Sequence, residues 1–173
     1  MKSPPLSVSG FTLTELLVVV AIAGILATIA IPGFKSLTQS QQVKNATFDL
    51  YASLILARSE AIKRNSEVTV TPVDYPVAFP TAHNETGWVV AATNGTASTA
   101  DDTTIQTQSQ LKGIVLTPEI SPWVTYRGTG RTKETAAPVF KIDAYGETTP
   151  YARCVKIELS GMPRIYKPVS GAC

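Results

Sequence analysis

The stretch "SGFTLTELLVVVAIAGILATIAIPGF", Ser9 to Phe34, sets one carboxylate, Glu15, at the head of an apolar run with no further charge until Lys35. Leu16 to Ile31 is 16 residues without a charge, close to the roughly 17–25 that span a bilayer as a helix. The run is apolar all round rather than striped, as a lipid-facing helix is. Pro32 and Gly33 then mark an expected kink at its exit. A cleaved secretory peptide fits less well. Its small-residue site, Ala21-Ile22-Ala23, would lie inside the run, and Lys2 is the sole basic residue before it. Orientation stays open on charge alone, because Lys2 faces Lys35 and Lys44 on the other flank.

An unpaired carboxylate at membrane depth costs about 2.5–3.5 kcal/mol on insertion scales, so Glu15 calls for a partner. Cleavage between Gly10 and Phe11 would create an α-amine four residues before it, cationic with a pKa near 8. Glu15 could then pair with its own amine or a neighbouring chain's. The plainer reading is a first-turn acid favoured by the helix dipole.

The residues "GFTLTE", Gly10 to Glu15, resemble the signal of type IV prepilins and type II secretion pseudopilins. In that family a short leader ends in Gly, the mature chain begins with Phe, and Glu is its fifth residue. Counting Phe11 as the first makes Glu15 the fifth and Pro32 the twenty-second, both matching the family. The resemblance implies cleavage after Gly10 by prepilin peptidase, N-methylation of Phe11, and packing of the helix in a filament core. There Glu15 neutralises an adjacent subunit's amine and sets the axial register.

Beyond Phe34 the pattern becomes striped: Leu37, Val43, Ala46, Leu50, Leu54, Ala57 and Ala61 recur mostly at three- and four-residue steps. Asn65-Ser66 reads as the stop. A helix from Phe11 to Arg64 would have 54 residues and a length of about 80 Å. "LARSEAIKRNSEVTV", Leu56 to Val70, is similar to the helix-to-strand junction of the GspH/FimT (FimU-like) branch. Arg58, Glu60, Lys63 and Arg64 fall off the apolar stripe and are expected to be solvated or packed against the sheet.

After the helix come "EVTVTPV", "GWVVAAT", "GIVLTPE", "WVTYRG", "PVFKIDA" and "RCVKIEL". These short β-branched or aromatic runs, separated by Gly, Pro, Asn and Thr, read as strands. In the last, Val155, Ile157 and Leu159 alternate with Lys156 and Glu158. The expected fold is α+β: a long N-terminal helix, its first half transmembrane, packed on one face of an antiparallel sheet. Thr93 to Thr104, small and polar, reads as a loop. The expected organisation is a leader over 1–10 and a membrane or filament-core half-helix over 11–34. An amphipathic half-helix follows over 35–65, then a β-rich domain over 66–173.

Little here points to chemistry. The single histidine, His83, sits in a loop-like "PTAHNE", and Gly128-Thr129-Gly130 lacks the pattern of a phosphate-binding loop. No enzyme is expected, no cofactor, and no metal, since CxxC spacing is missing. Cys154 and Cys173 are compatible with two free thiols or one bridge, and an exported domain favours the bridge.

Charge is uneven. Residues 65–126 hold 6 acids and 1 base, and residues 127–173 hold 8 bases and 4 acids. Arg127, Arg131, Lys133, Arg153, Lys156, Arg164 and Lys167 are interleaved with Tyr126, Tyr151 and Tyr166, a composition suited to phosphate contact and base stacking. Some FimT-like minor pilins, which this chain resembles, bind DNA through a C-terminal Gly-Arg-x-Arg. Here the place reads Gly161-Met162-Pro163-Arg164, with Met162 for the first Arg. Candidate DNA contacts are therefore Arg164, Lys167 and Arg131; the bland alternative is a turn and last strand. The resemblance implies a minor pilin that helps initiate or cap a pilus serving twitching motility or adhesion. Its partners would be major and minor pilins, with the leader in the cytoplasm, the helix in the inner membrane and the domain in the periplasm. DNA uptake and type II secretion are the alternatives.

Overall fold

The computed structural model describes residues 11–73, 85–93, 102–145 and 151–173, without the side chains of 29–32 and 85–86. One helix, α1 (Leu13–Arg64), precedes eight strands: β1 (Val68–Val73), β2 (Glu85–Ala92), β3 (Thr103–Lys112), β4 (Ile114–Pro118), β5 (Val124–Tyr126), β6 (Val139–Ala144), β7 (Arg153–Ile157) and β8 (Pro163–Tyr166). The chain divides into two units, Met1–Thr38 and Gln39–Cys173.

In the first unit the helix begins at a cap and presents Leu13, Leu16, Leu17, Val18, Val19, Val20, Ile22, Ile25 and Leu26, all more than half exposed. No single helix among the described residues is long and apolar enough to cross a membrane. Leu13–Thr28 and Gly33–Arg64 together meet that test by length and composition. The side chain of Pro32 lies outside the described residues. Leu37, expected on the buried stripe, is 58% exposed.

In the second unit the stripe is as the periodicity dictates. Val43, Ala46, Leu50, Leu54, Ala57 and Ala61 are all 2% exposed or less and pack on Val68, Val70, Trp88, Val90, Leu116, Val124, Phe140, Ile142, Val155 and Ile157. The small alanines let the helix approach the sheet. Trp88 enters this core whole because its indole N–H donates to Ser53 Oγ at 2.9 Å, which removes the cost of a buried unpaired donor. The helix stops at Asn65, whose φ of 47° is left-handed. Ser66 N–H then donates back to Ala61 O, closing the C-terminus. Glu60 lies one turn from the end with Arg64 Nε at 2.8 Å and Lys63 Nζ at 3.4 Å. The bond from Arg64 does most to hold its carboxyl below the usual carboxylate range, Lys63 adding to it.

The sheet runs β5-β1-β2-β4-β6-β7-β8, with β3 attached to β2. It consists of two ladders joined at a seam. On one side β5, β1, β2 and β3 pair antiparallel; on the other β4, β6, β7 and β8 do. Among the described residues the seam is one parallel pair, Glu85 with Ile114. Continuity comes from the chain itself: β3 and β4 are separated only by Gly113, whose φ of 74° turns the strand from one ladder into the other.

Two expectations are corrected. Thr103–Lys112 is a strand, where Thr93 to Thr104 had read as loop; residues 94–101 lie outside the description. Its polar sequence, TTIQTQSQLK, is that of an edge strand with little buried face. Two register shifts, between Thr86 and Trp88 and between Val90 and Ala91 on β2, mark bulges in β3. Bulges of this kind blunt an edge against stray pairing. Opposite one of them, a side chain at Gly87 would collide with Gln108 O. Leu159, expected inside the last strand, lies beyond β7 and is 40% exposed, because the chain turns there: Gly161 N–H donates to Glu158 O.

Candidate functional site

At the head of the helix, Thr12 and Glu15 form a capping box. Glu15 Oε2 accepts from Thr12 N–H at 2.9 Å and from its hydroxyl at 2.8 Å, while Glu15 N–H donates to Thr12 Oγ1 at 3.3 Å. Two orphan donors of the first turn are thereby satisfied. Thr12-x-x-Glu15 is a capping signature in the sequence, and it gives Glu15 a partner besides the two expected above, an α-amine and the helix dipole. Phe11, 85% exposed, precedes the cap. Gly10, and with it the expected cleavage site, lies outside the described residues. The carboxylate thus has a local partner in the free chain, one that an intermolecular amine would have to displace.

The second place of interest is the β7–β8 hairpin. Strand register sets Lys156 directly opposite Arg164 and Cys154 opposite Tyr166. Val155 faces the helix, so its neighbours Cys154 and Lys156 face away from it. The tail returns over that outer face. Cys173 is bonded to Cys154, 19 residues earlier; Tyr166 Oη donates to Cys173 O at 2.7 Å, and Lys141 Nζ donates to Gly171 O at 2.9 Å. The expected bridge is therefore present. Partial burial, with Glu119 and then Glu158 nearby, pushes the Tyr166 hydroxyl above its ordinary pKa.

The hairpin turn is fixed to the helix by Arg58, expected only to be solvated or packed against the sheet. Its Nε donates to Gly130 O at 2.9 Å, one Nη to Ser160 O at 3.4 Å, and the other to Met162 Sδ. Two turns meet there. Gly161, with φ of 87°, touches Gly130 so closely that a methyl group would collide with the Gly130 carbonyl oxygen. Met162, where a Gly-Arg-x-Arg pattern would have its first arginine, is instead held through its sulfur by Arg58. No local signal in the sequence could have found a clamp that joins residues 72 to 104 apart.

Arg164, Lys167 and Arg131 are all exposed. One of the three tyrosines expected to stack is corrected: Tyr126 is fully buried and cannot reach a base, whereas Tyr151 and Tyr166 are half-buried. That burial pushes its hydroxyl well above the ordinary value, with Glu134 adding and Arg58 opposing. Lys133 is paired with Glu67 at 2.7 Å and Lys156 with Glu158 at 3.8 Å. His83 lies outside the described residues. Among the described residues no three His, Cys, Asp or Glu side chains are grouped to hold a metal.

Comparison with known proteins bears on both places. Residues 46–161 match the family described as type II transport protein GspH, and residues 6–31 match the prokaryotic N-terminal methylation motif. Two fimbrial proteins of Pseudomonas aeruginosa are each 45% identical over 74 residues, 40% of this chain and 47% of theirs. The chain thus spans about half the length of these curated relatives. Two crystal structures of the Pseudomonas aeruginosa type IV minor pilin FimU share the fold. One has a TM-score of 0.58 at 18% identity, covering 78% of this chain and 93% of that one; the other has 0.56 at 17%, covering 71% and 91%.

Proposed function

The chain belongs to the GspH family of type IV pilin-like proteins, and from that premise we propose that it is a minor type IV pilin that helps initiate or cap a pilus. Its mechanism is assembly rather than catalysis. Prepilin peptidase cuts after Gly10, Phe11 is methylated, and the chain waits in the inner membrane, its domain in the periplasm, until it joins other major and minor pilins. The observation that carries this reading is the first helical stretch. Its apolar side chains are exposed on every side, and a surface of that kind must be covered by lipid or protein. Its one charge, Glu15, is already satisfied by Thr12. On release from lipid the carboxylate exchanges that partner for the amine of an adjacent subunit.

The test is Glu15→Ala. The variant should remain in the membrane fraction and be strongly depleted from sheared pili, while its domain stays folded. Normal incorporation would remove Glu15 from the register mechanism. The likeness to FimU and to fimbrial proteins favours a pilus over a secretion pseudopilus; co-purification with a secreted protein's apparatus instead of pilins would reverse that.

A DNA-uptake role is the second reading, favoured by Arg164 and Lys156 facing each other on one strand pair. Binding of duplex DNA that falls steeply with salt and weakens in Arg164→Gln would support it. No binding at low salt would leave the assembly role alone.

A further inference from the structure

Beside Phe48 the second unit carries a groove of about 190 Å³ lined by Lys44, Thr47 and Phe48 of α1, Arg153 of β7 and Ile165 of β8. It is smaller than the roughly 300 Å³ at which pockets for small molecules begin, and it has room for one large side chain. Its floor is apolar, and among the described residues the charges on its wall are two cations, Lys44 and Arg153. Such a wall favours an aromatic ring, whose π-face attracts cations, with a carboxylate close beside it.

The chain itself presents that combination. Between β4 and β5, Glu119, Ile120 and Trp123 stand out from the surface, with Ile120 57% and Trp123 50% exposed. Of the two tryptophans in the chain, Trp88 is buried in the core and Trp123 is not. The loop is stiffened by Pro122 and by Ser121 Oγ, which donates to Trp123 O at 2.8 Å. Glu119 lies on the outer face of the sheet, where its Oε1 accepts from Cys173 N–H. The groove lies on the opposite, helix-bearing face, so the loop cannot fold back into its own groove.

We propose that the groove beside Phe48 receives the β4–β5 loop of a second copy of this chain, Trp123 entering between Lys44 and Arg153 with Glu119 pairing to one of them. Loop and groove are different surfaces, so the contact is heterologous and leaves one of each free at the ends of any stack. It involves the folded domain alone and does not depend on incorporation into a pilus.

The experiment is cross-linking in trans of the full chain in detergent. One tagged copy carries Phe48→Cys and a differently tagged copy carries Ile120→Cys, and a short bismaleimide joins them. Both native cysteines are held in the disulfide and do not compete. Both altered positions are exposed, so the fold is retained, which circular dichroism checks. The mixture should give a covalent dimer carrying both tags, at least about tenfold above either variant paired with itself. Adding Trp123→Ala or Lys44→Glu should lower that yield by about tenfold, and Glu119→Lys should restore it in the Lys44→Glu background. Equal yields in mixed and self-paired samples would overturn the proposal. So would an undiminished mixed yield in both the Trp123→Ala and the Lys44→Glu backgrounds.

Discussion

Two stretches of one helix, Leu13–Thr28 and Val43–Ala61, are both rich in apolar residues and meet opposite fates. In the second, an apolar residue falls on every turn of one side, and a sheet covers that side until little of it is accessible. In the first, apolar residues occupy all sides and are exposed among the described residues. Hydrophobicity alone therefore does not say what a helix buries itself in. Arrangement does: a stripe is matched by one partner, and a cylinder needs a solvent or a ring of neighbours.

The contrast can be broken most forcefully at its centre. Leu54→Ala should lower the domain's unfolding free energy by about 2–5 kcal/mol, read from denaturant unfolding of the detergent-solubilised chain by tryptophan fluorescence. Leu17→Ala, the same truncation in the other stretch, should leave that value unchanged; comparable losses would mean that the two stretches share one core. Replacing Cys154 and Cys173 by Ser should cost about 3 kcal/mol in the chain-entropy model, given the 19-residue separation, again without effect on membrane association. A smaller loss, about 1–3 kcal/mol, is expected for Ser53→Ala, which strands the Trp88 indole N–H in the core.

The smallest effect at neutral pH should come from Tyr126→Phe, because the Tyr126 hydroxyl is buried without a hydrogen-bond partner. Removal of an unsatisfied polar atom is nearly neutral or stabilising. The pH dependence gives it a sharper signature. The hydroxyl's pKa is raised in the folded state above its ordinary value of 10.0. Its contribution is fully present below pH 10 and is lost as pH rises from there towards the folded value. The parent chain should lose stability in that alkaline window, and the Phe variant should lose less. Identical alkaline profiles would show that Tyr126 is not the group responsible.

The helix was legible because its period changes at a single place, near Phe34, and because Asn65 is of a residue type that enters the left-handed region far more readily than most. Most strands were legible from β-branched alternation. β3 was not: Thr, Gln and Ser at an edge bury too little to leave an apolar period, so the same composition serves for strand or loop. At the head of the helix the charge drew attention and the hydroxyl did not, although Thr12 stands at capping distance from Glu15. The Cys154–Cys173 bond was left between two alternatives until register placed Cys154 under the returning tail. Arg58 was invisible for another reason. Its partners are backbone carbonyls and a thioether brought together only by the completed fold, and such acceptors carry no sequence code.

The returning tail has a mechanical consequence. A pull applied at Cys173 is delivered by the covalent bond straight to Cys154, in the middle of the β6–β7–β8 ladder. It is not passed along β8, so β8 and its turn cannot be peeled away one hydrogen bond at a time. To free Cys154 the load must instead break the pairing of β7 with β6 and with β8 together. Force arriving at the tail therefore meets a stop rather than a thread.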